Sequence, residues 1–250
     1  MNKQILVDLN LLKKNYQGNY IPVTGGIILI ISTIISWYIL FLLNLVNAQL
    51  LNIYIFIISI IGITGLLDDI CGNKNSQGFR DHFKSLINGK LTTGILKVII
   101  TILVSMLVLF ELEIYILSEI IINAGIIILM TNLLNLLDLR PARSIKAFFC
   151  MAILLIIFNL YYAVYFLPFF FTLIFYLPFE LKSKLMLGDS GANLLGTVLG
   201  FNTILMIEDF YIKLIILLFL VILNVVSEKY SYSTIIQNNP LLSWIDQLGR

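Results

Sequence analysis

Two adjacent aspartates stand at the end of a long apolar segment. Asp68 and Asp69 directly follow Gly65-Leu66-Leu67, which closes that segment. Two carboxylates this close repel each other unless a cation or a bound ligand compensates them. At the C-terminus of a helix the backbone dipole adds further negative charge. The pair therefore predicts either a site for a cation and its ligand or, as the alternative, two solvated acids at a helix end.

A second group of polar residues recurs at helical spacing. Asn132, Asn135 and Asp138 are three residues apart with leucines between them, so we expect all three on one face of a helix. Polar side chains in an apolar segment point to protein or water rather than to lipid, so we expect this face to line an interior cleft. Arg140 and Arg143 follow, and their guanidiniums suit phosphate oxygens. We interpret these five residues as substrate-binding. For the two asparagines alone, hydrogen bonding between helices is the alternative.

A third group is the segment Leu187-Gly-Asp-Ser-Gly-Ala-Asn193. We expect Asp189 to be the N-cap of a helix whose free N–H groups could bind an anion such as a diphosphate. A simple capping aspartate is the alternative. Further along, Ala192, Gly196 and Gly200 form a seam of small residues that predicts close helix packing.

The three groups contain carboxylates but neither histidine nor cysteine, and this ligand chemistry suits a hard divalent cation. Mg²⁺ typically takes one or two carboxylates together with substrate phosphates and retained waters. Phosphoryl transfer at such a site needs positioning and charge neutralisation rather than a specialised nucleophile. We therefore predict Mg²⁺ as the cofactor.

The elements that carry these groups are predicted to be membrane-spanning helices. Apolar residues make up 60% of the chain, charged residues only 12%, and the mean hydropathy is +0.99. The predicted fold class is all-α, a polytopic integral membrane helix bundle in one transmembrane domain over residues 1–250. About eight transmembrane helices are expected, at 23–46, 50–67, 94–112, 117–137, 145–160, 162–179, 191–207 and 210–227.

The distribution of basic residues predicts the orientation. With the loop 68–93 in the cytoplasm, fifteen of the sixteen Lys and Arg lie on that side and Lys213 lies opposite. Both termini, including the tail 228–250, then face the cytoplasm from a multi-pass protein of the plasma membrane. Residues 73–93 of this loop are predicted to contact membrane lipids, either anionic headgroups or a lipid phosphate, through Lys74, Arg80, Lys84 and Lys90, with His82 as a packing residue. The small net charge of +2 indicates no nucleic-acid partner.

The order of the three groups resembles the polyprenyl-phosphate N-acetylhexosamine-1-phosphate transferase family. The resemblance runs from Asn19-Tyr-Ile-Pro-Val-Thr-Gly-Gly26 through Gly200 and rests on Asp-Asp, then Asn-x-x-Asn-x-x-Asp, then Gly-Asp-Ser-Gly-Ala-Asn. It implies attack of a polyprenyl-phosphate oxygen on the β-phosphorus of a UDP-sugar at the cytoplasmic membrane face, with release of UMP.

The resemblance also implies roles for individual residues. Asp68, Asp69 and Asp189 match catalytic positions, and Asp189 and Asp69 match the positions that organise the metal. Asn132, Asn135 and Asp138 match a polar stripe near the nucleotide and the diphosphate. The partners implied are a polyprenyl phosphate and a UDP-sugar, and the sequence leaves a homodimer open.

Two departures from the family pattern keep other functions open. Pro141 stands where the family usually has a second aspartate, and the histidine-rich C-terminal segment is replaced by a capped amphipathic stretch, Asn239–Gly249. A catalytically silent membrane scaffold or regulator is one alternative. A transporter is the other, although transporters place their polar residues near the bilayer midplane, often in repeated halves.

The predicted orientation can be tested by labelling. A cysteine at Asn75, in a background with Cys71→Ser and Cys150→Ser, should react with a membrane-impermeant maleimide only after the cells are opened. Efficient labelling from outside intact cells would overturn the orientation and, with it, access to a cytoplasmic nucleotide.

Overall fold

The computed structural model describes residues 3–72 and 92–249 of the chain. It is 79% helical, and its helices are α1 Lys3–Asp8, α2 Gly25–Leu42, α3 Ala48–Cys71, α4 Thr93–Glu111, α5 Leu117–Leu137, α6 Arg143–Phe158, α7 Leu167–Leu181, α8 Gly188–Met206, α9 Phe210–Lys229, α10 Tyr232–Asn238 and α11 Pro240–Gln247. A 3₁₀ helix, Leu160–Phe166, leads directly into α7, and two short strands are β1 Leu12–Lys14 and β2 Tyr20–Pro22.

Six helical segments among the described residues are long and apolar enough to cross a membrane. They are α2, α3, α4, α5, the continuous segment Leu160–Leu181, and α9. This confirms an all-α chain with several candidate membrane helices, but it does not confirm a count of about eight. The remaining two predicted segments form α6, which has only 16 residues, and α8, which is rich in glycine and polar residues.

Helix α8 lies at the centre of the bundle. Nearly all of its residues are buried, and it packs against α2, α3, α5 and α6. Its small residues allow this, because the backbone of α5 passes directly beside Gly196 and Gly200. The predicted packing seam on this helix is therefore confirmed for these two glycines. By contrast, α9 lies at the periphery, and Leu220 is its single buried residue.

Polar and aromatic contacts join α8 to its neighbours inside the bundle. The Thr131 and Thr197 hydroxyls are 2.9 Å apart across α5 and α8, and the Tyr54 hydroxyl donates to Asn202 Oδ1 at 2.8 Å. The Tyr54 ring stacks on Trp37 of α2 at a centroid distance of 3.8 Å. Hydrogen bonds between helices in an apolar bundle hold each helix at one rotation and depth.

The N-terminal segment forms a small antiparallel hairpin that the sequence analysis did not predict. Lys13 pairs with Ile21 in the register of β1 and β2. The chain after β2 then runs beside the segment before α8, where Met186 N–H donates to Pro22 O at 2.9 Å and Gly25 N–H donates to Met186 O at 3.0 Å. The hairpin is thereby tied to the end of the bundle where α8 begins.

A matched pair of glycine substitutions tests the central position of α8. A Cβ on Gly196 would lie 2.5 Å from Thr131 Cα and 2.6 Å from Met130 O, so Gly196→Ala must push two backbones apart. We expect a loss of about 1–3 kcal/mol in stability, measured as a lower melting temperature of the purified protein. In Gly125→Ala the Cβ meets only the flexible end of the Leu217 side chain. Equal effects of the two substitutions would contradict the close packing of α5 and α8.

Candidate functional site

Three aspartates from two distant parts of the chain meet at one end of the bundle. Lys97 of α4 joins two of them, because its Nζ lies 3.0 Å from Asp68 Oδ2 and 3.0 Å from Asp189 Oδ2. Asp68 lies in the last turn of α3 and Asp189 in the first turn of α8, so the Lys97 ammonium group bridges three helices. Two carboxylate oxygens therefore converge on one cation, and the Asp189 side chain keeps 34% of its surface exposed.

Asp69 has a different environment from its neighbour. Its side chain is only 3% exposed, and its oxygens accept hydrogen bonds from Asp189 N–H at 3.1 Å, from Ser190 N–H at 3.0 Å and from Ser190 Oγ at 3.0 Å. Lys13 Nζ adds an ion pair at 3.2 Å. Asp69 thus caps the N-terminus of α8 from another helix, where the helix dipole favours negative charge.

This geometry corrects the expectation for the N-cap of α8. Asp189 is not the N-cap of α8, because it is already the second residue of the helix and the carboxylate that accepts the first free amides belongs to Asp69. The metal role predicted for Asp69 stays a prediction; both of its oxygens accept from N–H, O–H or ammonium donors. Of the two carboxylates that share Lys97, Asp189 is the more exposed, with 34% of its side-chain surface open against 13% for Asp68.

Glycines allow the three chain segments to approach this closely. A Cβ on Gly65 of α3 or on Gly26 of α2 would collide with the backbone or side chain of Ser190. Gly188 has φ +74, a conformation that L side chains rarely adopt, and a Cβ there would press on Val23 and on the Asp69 carboxylate. The glycines of the sequence motif therefore serve the cap of α8 as well as its packing.

Asp138 lines a small pocket of about 30 Å³ next to this cluster. Such a volume holds about one or two water molecules. The Arg140 guanidinium stacks over the Tyr16 ring with its central carbon 4.7 Å from the ring centroid. The pocket is lined by Asn15, Tyr16, Ile21, Asp138, Leu139, Arg140, Pro141, Glu180, Leu185, Met186 and Leu187. Acidic and basic side chains thus face the same space.

The surroundings of Asp138 favour its protonated form. Burial raises the pKa of the Asp138 carboxyl well above its usual range, and the negative charges of Glu180, Asp189 and Asp69 raise it further. The backbone N–H of Gly188 opposes this in part by hydrogen bonding. Asp138 therefore differs from the other acids of the cluster, because no ion pair compensates its charge among the described residues.

The predicted polar stripe of α5 does not stay together. Asn132 is exposed at the surface of the bundle, where its Nδ2 donates to Asn224 Oδ1 of α9 at 2.7 Å. The placement of Asn132 in an interior cleft is therefore wrong, and the alternative of hydrogen bonding between helices is correct for this residue. Asn135 is half-buried one turn before Asp138. Asp138 alone of the three reaches the pocket.

Arg143 is engaged elsewhere. Its guanidinium forms a bidentate ion pair with Asp246 of α11, with Nε–Oδ1 at 2.9 Å and Nη2–Oδ2 at 3.0 Å, and Nη1 donates to Ser233 Oγ at 3.0 Å. Because both side chains of the ion pair are nearly buried, binding a donor phosphate would require this pair to break. We therefore withdraw Arg143 from the substrate-binding set and retain Arg140.

Three charged residues that belong to the site were not predicted from the sequence. Lys97 could have been found, since it stands alone in the apolar segment of α4, and ionisable residues in such segments are functional candidates. Glu180 carried a similar signal between Phe179 and Leu181, and its Oε1 accepts from Ala142 N–H at 2.9 Å. Lys13 gave no comparable signal.

Part of the prediction lies outside the described residues. The basic loop with Lys74, Arg80, Lys84 and Lys90, together with His82, falls within residues 73–91. Within residues 3–72 and 92–249, no group of three or more His, Cys, Asp or Glu side chains is arranged to hold a metal ion.

Comparison with family models, with curated proteins and with solved structures gives no match to this chain. What the site can do must therefore be argued from its own chemistry. Two convergent carboxylates, two lysines and an arginine at one end of a bundle can bind a cation and a phosphate group side by side.

The raised pKa of Asp138 predicts how stability depends on pH. A carboxyl whose pKa is raised by folding stabilises the folded state at low pH, and this contribution is lost as the pH rises through the raised value. The melting temperature of the wild type should therefore fall relative to that of Asp138→Asn when the pH is raised from 5 to 8. Glu111→Gln, at an exposed position on the far end of α4, is the control and should follow the wild type. Parallel curves for the wild type and Asp138→Asn would contradict the assignment.

Proposed function

We propose that this protein transfers a sugar-1-phosphate of the N-acetylhexosamine type from a UDP-sugar to a polyprenyl phosphate in the synthesis of a cell-envelope glycan. A phosphate oxygen of the lipid attacks the β-phosphorus of the UDP-sugar. The new P–O bond forms as the bond to the bridging oxygen of the diphosphate breaks, and UMP leaves. The reaction takes place at the cytoplasmic face of the plasma membrane, in a bundle of about eight helices with both termini in the cytoplasm.

One observation carries this proposal. Asp68 and Asp189 each place an oxygen 3.0 Å from the same ammonium group, beside the N-terminus of α8 and at one end of the bundle. A position where two carboxylates already share a cation suits a reaction in which a cation must lie next to a diphosphate. The end of an apolar bundle is also where a lipid phosphate can meet a water-soluble nucleotide.

The same position is chemically compatible with Mg²⁺. Mg²⁺ is commonly held by one or two carboxylates with substrate phosphates completing its shell, and Asp68 and Asp189 offer such a pair. When bound, Mg²⁺ would neutralise charge on the diphosphate. Lys97 would then bind a phosphate oxygen rather than both carboxylates, Arg140 would bind the donor, and Asp69 would position α8 without contacting substrate.

The alternative of a catalytically silent scaffold has its own supporting observation. Lys97 and Lys13 already pair with Asp68, Asp69 and Asp189, so the cluster is stabilised without a metal. Pro141, which stands in place of the second aspartate of the family pattern, lines the pocket. A scaffold would release no UMP from any donor, so the activity measurement also decides between the two functions.

Substitution of single carboxylates tests the transferase. Purified protein with Mg²⁺, undecaprenyl phosphate and a panel of UDP-sugars should release UMP from at least one donor, and EDTA should stop the release. Asp189→Asn and Asp68→Asn keep the side-chain shape but lose the charge, so each should lower the rate by about 100-fold or more. The matched control is Asp209→Asn at the far end of the bundle, where Asp209 caps α9 through Ile212 N–H at 2.8 Å and asparagine caps equally well.

The outcomes separate the proposals. Near-normal rates in Asp189→Asn or Asp68→Asn, or equal activity in EDTA, would contradict the metal-site assignment. If monodisperse wild-type protein releases no UMP from any donor, the proposed transferase activity is wrong and the scaffold function is favoured.

A further inference from the structure

The C-terminal helix α11, Pro240–Gln247, has one exposed apolar face and one face that packs on the protein. Leu241, Trp244, Ile245 and Leu248 follow the i, i+3, i+4, i+7 spacing that places them in one stripe. All four are exposed, and Trp244 keeps 66% of its surface open. Asp246 lies on the opposite side and is buried. The helix therefore turns its one charged side chain towards the protein and its apolar stripe away from it.

The protein holds α11 in this orientation through the first turn of α6. Asp246 forms the bidentate ion pair with Arg143 described above. Lys146 Nζ donates to three carbonyls at the end of α11, those of Ile245, Asp246 and Leu248, at 2.8–2.9 Å. Carbonyls at a helix C-terminus lack partners within the helix, so a cation there both satisfies them and opposes the dipole. The contacts of α11 with Arg143 and Lys146 therefore hold the apolar stripe facing outward.

The attachment places α11 where the helices of the bundle end. Arg143 and Lys146 belong to the start of α6, and a Cβ on Gly249 would lie 3.2 Å from the side chain of Leu181. Leu181 is the last residue of the candidate membrane span Leu160–Leu181. If that span crosses a bilayer, α11 lies at the level where hydrocarbon gives way to headgroups.

The properties of the stripe favour lipid over its other possible occupants. Large apolar side chains exposed to water forgo about 25 cal/mol for every Å² that could be buried. A helix of eight residues is about 12 Å long, and its stripe is too small for the roughly 800 Å² per partner of a stable protein interface. Tryptophan beside leucine and isoleucine is the composition that lies in the headgroup region of a bilayer.

We propose that α11 is an interfacial anchor whose stripe of Leu241, Trp244, Ile245 and Leu248 inserts between phospholipid headgroups at the same end of the bundle as the aspartate cluster. The anchor connects the bilayer surface to Arg143. Arg143 begins α6 directly after the turn that carries Arg140 and Pro141 of the pocket. This inference does not depend on the proposed transferase activity, because it rests on the exposure and attachment of α11 and on the candidate membrane span that ends at Leu181.

Tryptophan fluorescence can test the anchor in the full chain, which contains only two tryptophans, Trp37 and Trp244. The protein is placed as a single copy in nanodiscs of phosphatidylcholine and phosphatidylglycerol, with or without bromine on the upper acyl carbons. Trp244→Phe leaves only Trp37, which is fully buried. The difference between wild type and Trp244→Phe therefore reports Trp244 alone, and the substitution lies at an exposed position that should not disturb folding.

We expect brominated lipid to remove most of the Trp244 emission and aqueous iodide to remove little of it. Bromine near the headgroups should quench more strongly than bromine near the chain ends. Strong quenching by iodide without quenching by bromine would show a helix in water and overturn the proposal. Quenching by neither would mean that protein covers the stripe, and protection that appears only with two copies per nanodisc would assign it to a second copy; both results overturn the lipid anchor.

Discussion

The contact between the Asp69 carboxylate and the first amides of α8 organises the described part of the molecule. A carboxylate that is almost fully buried is unfavourable unless donors surround it, and here backbone N–H groups, a hydroxyl and Lys13 do so. The same contact satisfies amides that α8 cannot satisfy itself. Because Asp69 ends α3 and α8 fills the centre of the bundle, this contact sets the depth at which the two helices meet.

Once α8 is held in this way, the other charges of the site follow. Asp189 is carried on the first turn of α8 and reaches Lys97, which also reaches Asp68. Three carboxyl groups thus face two ammonium groups, one from α4 and one from the N-terminal hairpin. The two ammonium groups offset part of the negative charge of the three carboxyl groups, and Asp189 still presents carboxylate surface towards the end of the bundle.

A second buried ion pair attaches the C-terminal helices to the bundle. Arg143 and Asp246 tie the C-terminal helices to the start of α6, and Glu180 of α7 accepts the amide of Ala142 just before it. Ala142 has φ +62, the left-handed conformation, so the turn between α5 and α6 is held in an unusual shape by side chains from two other elements. The pocket beside Asp138 is built on that turn.

The sequence by itself determined the helices and the three polar groups that lie at helix ends, because the length of apolar segments and the helical period are local properties. Tertiary structure alone decided which partner each charge takes. Lys97, Lys13 and Asp246 come from segments far from the residues they bind, and no local spacing connects them. The same reason explains Asn132. This residue has the predicted helical spacing, but the packing of α5 in the bundle turns it towards Asn224 of α9. Contacts between distant segments depend on how whole helices pack, and this information lies outside any one motif.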